Sequence, residues 1–70
     1  MDDVPITDDS IRLGQFLKLA NLIDNGSEAK ELMIRGLVTV NGEVETRRGR
    51  QLVVGDEVAL GPAVARVARG

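Results

Sequence analysis

Residues 36–46 read Gly-Leu-Val-Thr-Val-Asn-Gly-Glu-Val-Glu-Thr, and here the spacing of apolar side chains changes from a helical period to an extended one. Leu37-Val38-Thr39-Val40 is rich in β-branched residues, which suit a pleated, half-buried surface. Asn41-Gly42 follows at once and is the strongest short hairpin signal, because a type I′ turn needs positive φ at both central positions. Glu43-Val44-Glu45-Thr46 is then the return strand. A hairpin this short cannot stand alone, so its apolar side requires a partner layer.

That layer lies upstream. Leu13, Phe16, Leu17 and Ala20 repeat at i, i+3, i+4 and i+7, which predicts a helix over about residues 13–21 with one buried stripe. Gln15 and Lys18 fall off the stripe, toward solvent or a ligand. Asp24-Asn25-Gly26 breaks the chain, and Ser27 is read as the N-cap of a second helix, with Glu28 favourably placed in its first turn. Ala29, Leu32 and Met33 form its buried arc, and Gly36 ends it. Ile34 is an oddity, an apolar residue on the polar face.

Downstream, residues 52–54 lead into a Gly55-Asp56 turn, residues 58–60 form a strand, and Gly61-Pro62 turns the chain into a last strand over 63–68. Residues 1–9 are an acidic leader in which Val4-Pro5-Ile6 suits a short edge strand, where proline is tolerated. Residues 10–70 make a single domain. The expected class is α+β, two packed helices followed by a small, mostly antiparallel sheet.

Composition narrows the function. Seventy residues with neither cysteine nor histidine lack thiolate metal ligands, disulfides, the commonest metal ligand and the commonest general base. A chain this short also walls off no deep pocket. No enzyme, cofactor, metal or small-molecule substrate is expected. No apolar run approaches a membrane span, and the N-terminus has no signal-peptide pattern, so a cytoplasmic monomer is expected.

The net charge of −2 argues against a nucleic-acid partner only if its distribution is ignored. Asp2, Asp3, Asp8 and Asp9 fall in the first nine residues, which hold no base; residues 10–70 carry seven acids against nine bases. Arg47-Arg48-Gly49-Arg50 concentrates three arginines in a turn with no acid that strand alternation obliges to pair with them. Arginine's planar fork suits phosphate, and glycine admits close backbone approach. On the second helix Ser27, Lys30 and Ile34 share a face flanked by Arg35, the helix amides are turned outward as for a phosphate, and Lys18 reaches toward the same groove. Lys18 and Lys30 equally suit a solvated surface, and Glu31 with Arg35 is an ordinary i, i+4 pair worth about 0.2–0.5 kcal/mol. The sole aromatic, Phe16, is on the core stripe, so base stacking on exposed rings is not expected. Folded or double-stranded RNA, read through backbone and shape, fits better.

The order of three segments carries a family resemblance. Ile11-Arg12-Leu13 with Phe16-Leu17-Lys18, then Gly26-Ser27-Glu28-Ala29-Lys30-Glu31-Leu32, then Gly36 to Gly42, with a later Gly55-Asp56, resembles the RNA-binding domain named after ribosomal protein S-four, also called the alpha-L motif. The similarity spans about residues 11–60, and the Glu-Thr-Arg-Arg-Gly-Arg stretch resembles short bacterial members consisting of little else. It implies two helices on a small sheet and binding of structured RNA, ribosomal or transfer RNA, in ribosome assembly or translation, with the ribosome or its subunits as partners. It points to Arg12, Lys18, Ser27, Lys30, Arg35 and Asn41 as RNA contacts, with Arg47, Arg48 and Arg50 matching the basic stretch. Many members have aspartate where this chain has Gly14, which removes a cap and weakens the first helical turn by about 0.5–1 kcal/mol relative to alanine. The alternative is a protein-interaction module of the same fold that has lost RNA binding.

Overall fold

A computed structural model describes residues 1–70. The helices are α1 (Leu13–Leu19) and α2 (Gly26–Ile34). The strands are β1 (Asp2–Ile6), β2 (Ser10–Arg12), β3 (Val38–Val40), β4 (Glu43–Val44), β5 (Gln51–Val53), β6 (Glu57–Leu60) and β7 (Ala63–Arg69). Five strands form one sheet in the order β1-β7-β6-β3-β4, and β2 pairs antiparallel with β5 as a separate ribbon. The α+β class holds, but the helices do not come first. Two strands precede them, and β1 lies parallel to β7 at the sheet edge, in register from Asp2 opposite Ala65 to Ile6 opposite Arg69. Pro5 is tolerated in β1 because an edge strand has one side free of ladder bonds.

Local chemistry explains the boundaries. Asn41 and Gly42 have φ of 53° and 86°, as the type I′ hairpin demands. The Asn41 side chain reinforces this turn: its Oδ1 accepts from the Glu57 amide at 3.0 Å, and its Nδ2 donates to Asp56 Oδ1 at 3.1 Å. Asp56 Oδ2 in turn accepts from the Val53 amide at 2.9 Å, so the Asp56 carboxylate clasps two neighbouring turns.

Both helices close with the same device. The Gly36 amide donates to Met33 O and the Leu37 amide to Leu32 O, at 3.0 and 3.1 Å, a Schellman motif with Gly36 in the left-handed region. At the end of α1 the Asn21 and Leu22 amides donate to Lys18 O and Leu17 O, with Asn21 at φ 62°. The first helix is therefore shorter than its apolar spacing predicts: Asn21, which tolerates left-handed geometry better than most residues, caps it from outside.

The start of α2 corrects a second expectation. Asn25, not Ser27, is the N-cap, its side chain accepting from the Glu28 amide at 3.0 Å. Glu28 reaches back to accept from the Asp24 amide at 3.2 Å. Asparagine and serine are comparable caps, so side-chain preference could not separate the two positions. Asn25 thus meets one amide of the helix, while Glu28 meets an amide just outside it.

One core joins the layers. Leu13, Phe16 and Leu17 of α1, Ala29 and Met33 of α2, and Ile23 between them cluster with Val38, Val40, Val58, Ala65, Val67, Ile6 and Leu52. Strands β3 and β7 alternate buried and more exposed residues, as one covered sheet face requires. Ile34 stays exposed, so the core does not account for it. Asn25→Ala should cost about 1 kcal/mol in urea unfolding. Ser27→Ala should stay within about 0.5 kcal/mol of the parent; the reverse order would return the cap to Ser27.

Candidate nucleic-acid interface

The turn of residues 47–50 is not a free hairpin end. It packs on the start of α1, whose N-cap residue Arg12 supplies no side-chain cap. The Leu13 amide donates instead to Arg50 O at 2.8 Å, and the Gly14 amide to Arg48 O at 2.9 Å. Two amides that an unaided helix start would leave open are thus met by carbonyls of the basic turn. Gly14 is required by this packing. A Cβ there would lie 2.6 Å from Arg48 Cγ and 3.5 Å from Arg48 O. The glycine removes no needed cap; it makes room for a different one.

Glu45 sets the shape of the turn. It is only 6% exposed, yet its carboxylate accepts from the Thr46 and Arg47 amides, both at 3.0 Å. It also accepts from Arg47 Nε at 3.3 Å and Arg50 Nη1 at 3.0 Å. The hydrogen bonds from Arg47, side chain first and backbone second, outweigh burial and, with help from Arg50, hold the carboxyl at about 2, well below its usual range. The turn therefore does contain an offsetting acid, contrary to the sequence expectation. Glu45 lies one residue past β4, but its amide still donates to Val38 O at 3.0 Å and it faces the buried side with Val38. Alternation therefore gives its inward direction and not the arginines that fold back onto it.

With Arg47 and Arg50 both engaged by Glu45, Arg48 extends the other way. Its Nη1 donates to Gly26 O at 3.3 Å, linking the turn to the first residue of α2. Between the turn and the helices lies an open cleft of about 500 Å³ with no hydrophobic residue in its lining; Arg12, Gln15, Lys18 and Arg48 surround it, with Gly14, Gly26 and Gly49. Of the nine cations, four pair with carboxylates: Arg35 with Glu31, Arg47 and Arg50 with Glu45, and Arg66 with Asp3. Among the five without such a partner, Arg12, Lys18 and Arg48 line this one cleft.

The other predicted residues separate. Ser27 and Lys30 are on α2 and outside the cleft lining. Arg35 forms the expected i, i+4 pair with Glu31 at 2.8 Å, both side chains exposed. Asn41 spends its polar atoms on the hairpin and the Asp56 turn. Arg47 remains 77% exposed beside Glu45, whereas Arg50, at 32%, is half-buried. Gln15 lines the cleft; its position off the apolar stripe beside Lys18 was the signal that could have placed it there.

Chemically the cleft offers three cationic donors, one amide side chain and glycines that let a backbone come close. It can hold anionic oxygens. No group of three carboxylates or other ligating side chains is assembled for a metal ion, and no helix is long and apolar enough to cross a membrane.

Comparison with known proteins agrees with this architecture. The S4 domain family matches residues 4–68. A protein of Bacillus subtilis (strain 168) named "Probable ribosome maturation protein RlbA" is 47% identical over 57 residues, which cover 81% of this chain and 80% of that protein.

Two outcomes test the local chemistry. Gly14→Ala should drive Arg48 from the cleft and lower anion affinity, measured by heparin retention, although alanine favours the helix by about 0.5–1 kcal/mol. Because the folded pKa of Glu45 is depressed, its stabilisation is complete above about pH 4.5 and is lost as pH falls toward about 2. Thermal midpoints of the parent and of Glu45→Gln should therefore differ most near neutrality and converge at the acid end of that window.

Proposed function

This chain belongs to the S4 domain family, and on that premise we propose that it is a non-catalytic RNA-binding protein acting on structured ribosomal RNA during ribosome maturation. The observation that carries the reading is the convergence of Arg12, Lys18 and Arg48 on a cleft without apolar lining, in a chain whose net charge is −2. Cations that no carboxylate neutralises are the ones able to release counterions from a phosphate backbone.

Arg12, Lys18 and Arg48 contact phosphates in this reading, and Gln15 contributes a neutral hydrogen-bonding group beside them. Arg47, Ser27 and Lys30 lie at the margins and add charge or hydrogen bonds to a longer duplex. Arg50 acts through Glu45, as the support of the turn. Asn41 acts through the hairpin, and Arg35 is a weak peripheral contact because Glu31 already holds it. In the basic cleft recognition is then of backbone spacing and shape, since the sole aromatic side chain, Phe16, is buried and none is available for stacking. The name of the Bacillus subtilis relative supports the assignment to ribosome maturation. The cytoplasm is the compartment in which such RNA is met.

Arg12→Ala/Lys18→Ala/Arg48→Ala is the informative variant, because it leaves both arginine partners of Glu45 in place. Against ribosomal RNA, the slope of log K on log salt should shrink by roughly 2–3, at about 0.7–0.9 for each of three phosphates no longer neutralised. Urea midpoints should stay close to the parent. An unchanged slope, or capture of protein partners that survives nuclease treatment with no RNA shifted, would instead favour an interaction module that does not bind RNA.

A further inference from the structure

Beside the basic cleft is a second one of different chemistry. It lies between the β1–β2 connection and the outward side of α1, and Ile6, Ile11 and Leu19 form its apolar walls. Asp8 brings a carboxylate to it, and Gln15 and Lys18 line it together with the basic cleft. The two clefts are therefore neighbours across two shared side chains. Leu19 is 52% exposed, off the α1 stripe that enters the core. Asp8 has neither an ion-pair nor a hydrogen-bond partner, although Lys18 lines the same cleft.

The charge and walls of this cleft select its occupant. A phosphate bound there would face the Asp8 carboxylate, so the anion belongs in the basic cleft and not here. A flat, largely apolar group with N–H donors on one edge suits both the aliphatic walls and the carboxylate. On an RNA strand that group is a nucleobase turned out of its stack, held between apolar side chains and read along its Watson–Crick edge. We propose that this cleft is a subsite for one unstacked base whose neighbouring phosphate sits on Lys18 and the basic cleft. The inference rests on the RNA-binding reading and names what that site selects.

The carboxylate also ranks the bases. Guanine presents two adjacent N–H donors, at N1 and N2, which match the two oxygens of Asp8. Cytosine and adenine each offer an exocyclic amine beside a ring acceptor. Uracil turns carbonyl oxygens to either side of its single N–H and is repelled. The subsite therefore prefers guanine and excludes uracil.

The test uses the full chain and a short RNA hairpin carrying one unpaired residue, made with G, C, A or U at that position. The parent should bind the G hairpin about 10-fold more tightly than the U hairpin, the scale of one good bidentate contact. Asp8→Asn should bring that ratio close to one, while a fully paired duplex is bound at least as tightly as by the parent. In NMR titration the G hairpin should shift the amides of Asp8, Ile11 and Leu19 as well as those of Gly14, Arg48 and Gly49. Shifts confined to Gly14, Arg48 and Gly49, or a G-to-U ratio unchanged by Asp8→Asn, would overturn the base subsite and leave the RNA reading standing. Absence of shifts with every RNA would overturn that reading and this inference with it.

Discussion

The contact between the Arg48 and Arg50 carbonyls and the first amides of α1 is the constraint on which the candidate site depends. Seven residues are too few for a helix to persist in water by itself, so α1 depends on packing and on having its open amides met. The basic turn meets two of them from far along the chain. The same contact fixes where the arginines lie. Glu45 completes the arrangement from beneath by drawing Arg47 and Arg50 to one side, which leaves Arg48 to cross toward α2. Removing Glu45 would therefore disturb both the helix start and the cleft, although the residue touches neither directly.

This arrangement reconciles an acidic chain with a cleft lined by cations that no carboxylate pairs. At physiological salt, exposed charges more than about 8 Å apart are largely screened, so a bound phosphate responds to the side chains around it and little to the sum over the molecule. Arg12, Lys18 and Arg48 supply that local field. Several of the compensating acids are engaged elsewhere: Glu31 with Arg35, Asp3 with Arg66, Glu45 within the turn and Asp56 in the turns beside Asn41. What the low net charge does forgo is long-range attraction. Such a protein gains little from electrostatic steering and relies on fit once it meets its ligand.

Much of the fold was legible in the sequence because its strongest signals are local. The α1 stripe of Leu13, Phe16 and Leu17, the Asn41-Gly42 turn and the Gly36 terminator each depend on residues within a few positions of one another, and each is found as expected. What was not legible depends on distant partners. β2 is three residues long and exists because β5 pairs with it, and β1 finds its mate at the other end of the chain. The Asn25 cap lay within reach of the sequence, but composition could not rank it above Ser27. At the site, the type and number of basic residues were visible, while their division between partnered and unpartnered was not. Glu45 follows the alternation of its strand to the buried side, but nothing local says that Arg47 and Arg50 fold back to meet it there. Gly14 read as a weakness because its neighbour Arg48 is distant in sequence.

The parallel pairing of β1 with β7 has a consequence for how the chain reaches its native state. Asp3 and Arg66, joined across these strands, are 63 positions apart, and closing a flexible loop of that length costs roughly 4 kcal/mol on a logarithmic scale. This pairing is accordingly a late event, after the hairpins and helix ends have formed. During synthesis at about 5–20 residues per second, β1 waits roughly 3–12 s for its partner to be made. An unpaired strand in that interval is exposed to mispairing with other chains. Two aspartates at its start and Pro5 within it are the features that keep a lone strand from doing so. The aspartates at the start of β1 thus have a use apart from any ligand: they disfavour mispairing of a strand whose partner is synthesised later.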